Sequence, residues 1–77
     1  MKTGLLWYDN DPQRRIEEKI RRAAQRYQEK FGRAPDICYV NPAMLAQVQE
    51  PVSHLQVVGK PNILPHHFLV GVADKGS

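Results

Sequence analysis

Ile16, Ile20, Ala23, Ala24, Tyr27 and Phe31 recur at i, i+4, i+7, i+8, i+11 and i+15. At 3.6 residues per turn these positions share one stripe about 100° wide, the mark of an amphipathic helix with one face to bury. Its expected start is Asp11 as N-cap with Pro12 at the first helical position, where a missing N–H costs nothing. Its expected stop is Gly32, with Pro35 beyond. Glu17 to Arg21 and Glu18 to Arg22 add i,i+4 pairs in the favourable orientation.

What flanks the helix sets the fold class. "GLLWY" before it and "DICYV" after it read as strands, apolar at successive positions rather than alternating. That pattern predicts burial on both faces, as in an inner parallel pair joined by a right-handed helical crossover. "WYDNDP" and "CYVNP" both run from an apolar strand into an Asp/Asn-Pro helix start. Asn41 and Pro42 are therefore expected to open a second, shorter helix through Val48, ended by Pro51. "HLQVVG" reads as a third strand, "KPN" as a turn and "HFLVGV" as a fourth strand, with a connection short enough only for an antiparallel return. The expected architecture is α/β: a small β-α-β-α-β-β sandwich with a mixed four-stranded sheet and one long amphipathic helix. It forms a single domain over residues 1–77, with 73–77 a frayed tail.

Size and cysteine content then bear on stability. A chain of 77 residues buries only about 60% of its unfolded surface, and Cys38 is its lone cysteine, so no disulfide can compensate. Oligomerisation is the common remedy. Phe68, Val70 and Val72 face one way from the last strand and Leu69 the other, while Val57 and Val58 are two-sided in the third. One long helix and one short one barely cover both faces. A homodimer through an open sheet face or an edge strand is expected. The apolar run Leu5 to Tyr8 is too short for a signal peptide, and no later run approaches a membrane span, so the expectation is a cytoplasmic protein with no membrane partner.

Charge is concentrated in the helix. Residues 14–33 carry eight Lys/Arg against three Glu, and the rest of the chain three basic against five acidic residues. Arg15, Lys19, Arg22, Arg26 and Lys30 fall within roughly 80° on one flank, with no acid inside that arc. Like charges at i,i+4 cost a few tenths of a kcal/mol each, so such a flank suits a nucleic acid or an acidic protein surface. The same long stems also snorkel along apolar surface, so the flank equally reads as solvated packing.

Candidate chemistry lies at one edge. In open α/β sheets ligands bind beyond the carboxyl ends of parallel strands, here at Asp9, Asn10, Asp11 and Asn41. If the third strand is parallel to the first two, the fourth begins at that same edge and brings His66 and His67 to the carboxylates. Asp9, Asp11, Asn41 and one of the two histidines would then suit a metal-dependent hydrolase or phosphoesterase. Each residue has a plainer explanation as a cap or turn former. Adjacent strand side chains also point to opposite faces, so His66 and His67 cannot both hold one ion unless the segment is a loop. His54 belongs to the opposite edge. Cys38, between Ile37 and Tyr39, reads as a small buried hydrophobe, and no phosphate loop or nucleophile elbow is present. No metal site and no cofactor is assigned.

The segments "EKFGRAPDICYVNPAML" and "ILPHHFLVGV" resemble small bacterial proteins of unassigned function that share a YGRxP…CxVxPxxL…LPxHFxxG pattern. The resemblance covers most of the chain and implies a compact domain that stands alone; it carries over no activity, cofactor or catalytic residue. The expected function is a non-enzymatic binding or interaction module that self-associates. The alternatives are the strand-end hydrolase and nucleic-acid binding by the basic flank.

Overall fold

The computed structural model describes residues 4–73. Its elements run β1 (Gly4–Tyr8), α1 (Ile16–Phe31), β2 (Ile37–Val40), α2 (Pro42–Leu45), β3 (Gln56–Gly59) and β4 (His67–Gly71), the expected β-α-β-α-β-β order. The sheet order is β1-β4-β2-β3, with β4 antiparallel to both neighbours and β2 parallel to β3. The sheet is thus mixed and four-stranded. The first two strands run in the same direction but are not an inner pair, because β4 lies between them and leaves β1 at the edge. Likewise the return from β3 to β4 is antiparallel in direction, yet β2 separates the two.

Register places alternate residues on two faces. One face carries the rows Leu5–Val70–Cys38–Val57 and Trp7–Phe68–Val40–Gly59. Onto it pack Ile16, Ile20, Ala23 and Tyr27 of α1, and Met44 of α2 joins the same cluster, so both helices lie on one side. Phe68, Val70, Cys38, Val40, Ile20 and Ala23 are fully buried there. Gly59 has a reason to be glycine. A Cβ at that point would sit 3.1 Å from Leu45 Cδ2 and 3.3 Å from Pro42 Cα, so α2 is seated where the strand has no side chain. The other face carries the row Leu6–Leu69–Tyr39–Val58.

The helix ends differ in how well the sequence anticipates them. Gly32 closes α1 at φ 75°, its N–H bonded to the Gln28 carbonyl, as its position beyond the stripe implies. At the other end Asp11 is not the N-cap. Its carboxylate accepts the Gln13 N–H at 2.9 Å in a local turn, and α1 begins only at Ile16, after Arg15, which offers no side-chain cap. The Asp11 N–H and the Arg14 guanidinium are both held by Asp9, so the joint is fixed as a turn up to the residue where the apolar stripe begins. The similar second joint behaves as expected. Asn41 caps α2 by accepting the Ala43 N–H at 2.9 Å, with Pro42 behind it. α2 is shorter than expected, however, ending at Leu45 rather than Val48, because the following residues turn to carry Gln49 to Glu17. Of the expected frayed tail, Ala73 is tied by its N–H to Asp36 at 2.7 Å, and residues 74–77 lie outside the described residues.

Candidate functional site

The carboxyl ends of β1, β2 and β3 and the start of β4 share one edge of the sheet, as the topological reading requires. There the Asp9 N–H bonds the His66 carbonyl at 3.0 Å, so the histidine segment does reach the first joint. The two carboxylates and the Asn41 amide at this edge are engaged locally. Asp9 accepts the Asp11 N–H through Oδ1 and the Arg14 guanidinium through Oδ2, at 3.0 and 2.9 Å. Burial on its own raises the Asp9 pKa, but the Asp11 N–H, Arg14 and the Lys19 charge together outweigh it and hold the carboxyl below its ordinary value. Asp11 spends one oxygen on Gln13 and leaves the other 3.5 Å from Arg14. Asn41 uses both ends of its amide, capping α2 with Oδ1 and donating Nδ2 to the Ile63 carbonyl at 2.9 Å, which fixes the loop from β3 to β4.

The two histidines sit in different structure: β4 begins at His67, and His66 belongs to the turn before it. His67 pairs with Tyr8 on the outer face, their rings 4.9 Å apart, and its Nδ1 lies 2.9 Å from the Pro65 carbonyl. His66 adopts φ 66°, a left-handed conformation that a side chain bearing Cβ takes at a cost, and its Nδ1 is shielded from solvent with no partner among the described residues. Among the described residues no three His, Cys, Asp or Glu side chains gather closely enough to hold a metal ion. His54 is exposed ahead of β3, at the opposite edge. Burial pushes the Cys38 thiol up to about 12, so at neutral pH it is a protonated, packed side chain rather than a nucleophile.

The basic flank of α1 lies along β1, where Arg22, Gln25, Arg26 and Glu29 line a groove beside Trp7. Its five cations are not equivalent. Lys19 is only 5% exposed, and its charge acts on Asp9. Arg15 reaches Glu17 at 3.5 Å, Arg26 reaches Glu29 at 3.1 Å, and Lys30 lies over the Phe31 ring. Arg22 stays exposed.

Two features escape a reading by residue type. Arg14 is the hub of the first joint, touching Asp9, Asp11 and Glu18. Glu17 is only 2% exposed and accepts the Gln49 N–H at 2.8 Å; that bond above all holds its carboxyl below its ordinary value of 4.5. The only sequence signal for Glu17 is its place on the border of the apolar stripe.

The outer face is an extended unassigned surface. Leu6 and Tyr8 are 59% and 56% exposed, and Leu69, Tyr39 and Val58 are half-buried between strands. Leu6, Leu69 and His67, with Asn62, Ile63 and Leu64 of the β3–β4 loop, line an apolar groove of about 300 Å³. Beside this row the Lys60 ammonium sits 4.7 Å from the Tyr39 ring centroid. No described helix is long and apolar enough to cross a membrane. Compared with known proteins, the chain matches no family model, no curated protein and no solved structure.

Proposed function

We propose that this chain is a small non-enzymatic binding module that works through the uncovered side of its sheet and self-associates through that face or the edge strand beside it. The observation that supports the reading is the row Leu6–Leu69–Tyr39–Val58, apolar across all four strands while both helices pack on the opposite side. Four strands about 4.8 Å apart and five residues rising about 3.3 Å each give a face on the order of 300 Å² in projection. That equals the largest apolar patches of ordinary monomers and is less than half of the ~800 Å² each partner contributes to a standard interface. The association is therefore weak and concentration-dependent.

Sedimentation velocity over a concentration series reaching ~500 μM, the regime of small interfaces, tests it. A rising weight-average sedimentation coefficient is the expected result; a strictly monomeric boundary at the highest concentration overturns self-association.

A further inference from the structure

We propose that the partner is a second copy of this chain joined antiparallel along β1, with Leu6 on the two-fold axis, so that two sheets merge into one of eight strands. The inference rests on the self-associating reading above and specifies its geometry. One step beyond the Tyr8–His67 end of the β1–β4 ladder, the Asp9 N–H bonds the His66 carbonyl, the pair that continues the same register. Hydrogen-bonded and non-bonded pairs alternate along an antiparallel ladder, so Trp7 and Leu5 also bond inward to β4. Gly4, Leu6 and Tyr8 then turn their N–H and C=O groups to the open edge.

That edge lacks the usual protection. Within Gly4–Tyr8 there is no lysine, no proline and no charge, whereas the opposite edge strand β3 is shorter and runs straight into Lys60 and Pro61. Placing the two-fold axis at Leu6 uses every outward group of the strand. Leu6 exchanges both backbone bonds with its own copy, and each Gly4 exchanges both with the other copy's Tyr8. Side chains fit the same register: on the outer face each Tyr8 ring lies across from the other copy's Gly4, and leucine meets leucine between them. On the helix side Leu5 faces Trp7. The contact is isologous and closes on itself.

The prediction separates edge pairing from face-to-face stacking. Leu6→Pro removes an outward N–H that β4 does not use, and should weaken association at least about tenfold, the loss of two of the edge bonds at the centre. Val58→Lys puts a charge at the far end of the outer row and should leave association unchanged. Because proline could disturb β1 itself, amide hydrogen exchange of the unaltered chain is the second measurement: protection at Leu6 and Tyr8 should rise with protein concentration. The reverse pattern, with Val58→Lys disruptive and Leu6 exchange independent of concentration, overturns edge pairing while leaving self-association standing. A chain that stays monomeric overturns both.

Discussion

Two rows of side chains cross the same four strands one residue apart and have opposite fates. Leu5, Val70, Cys38 and Val57 lie on the helix side, whereas Leu6, Leu69, Tyr39 and Val58 face away from both helices. The rows are similarly apolar, so residue type does not separate them. What separates them is coverage, since 20 residues of helix, all on one side, are enough for one face only. The lesson is that an apolar strand read as buried on both faces can instead be half core and half binding surface.

The comparison is broken most severely at Phe68 and Leu69, which are neighbours in sequence on opposite faces. Phe68→Ala should cost about 3–5 kcal/mol of unfolding free energy in urea titration, a cost that would leave so small a domain largely unfolded. Leu69→Ala should cost about 1 kcal/mol, since half of that burial is missing. Equal costs would show that the outer row is covered in solution too.

Next in size is Glu17, which ties the helix layer to the segment before β3. Glu17→Ala removes the charged acceptor of the Gln49 N–H and should cost about 1–2 kcal/mol. Because its folded pKa is lowered, its contribution is complete above the unfolded value near 4.5 and is lost as pH falls through the folded one. Asp9 acts in the same direction from its ordinary 3.8. Thermal melts should therefore show stability falling below about pH 4.5, with a shallower acid limb in Glu17→Gln. An unchanged limb would remove Glu17 from the acid response.

On the outer face the stability effects shrink while the association effects grow. Leu6→Lys should change monomer stability by no more than about 0.5 kcal/mol, since the side chain is already largely in water, yet should raise the dissociation constant. The smallest effect is expected on the basic flank. The double change Arg22→Gln and Arg26→Gln should alter stability by a few tenths of a kcal/mol, about the worth of surface ion pairs. It should shift heparin retention only modestly; complete loss of retention would make the flank, not the sheet, the binding surface.

Legibility in the sequence followed the range of the interactions. The stripe from Ile16 to Phe31, the Gly32 stop and the Asn41–Pro42 start are local patterns, and each is found where its spacing puts it. The Asp11–Pro12 start is equally local and misleads, because Asp9 and Arg14 offer a competing turn that only their mutual distance reveals. The meeting of the histidine segment with Asp9 followed from strand directions. That every carboxylate oxygen there is committed to a joint did not, since Arg14 and the backbone donors have no signature by type.

By itself, the sequence determined the helix, its polarity, the strands and their order along the chain, because hydrophobic period and turn chemistry act over a few residues. Only the tertiary structure decided that β4 inserts between β1 and β2, exposing β1 as an edge, and that both helices choose one side. Strand order and layer choice depend on contacts between segments sixty residues apart, as Leu6 with Leu69, which no local period encodes.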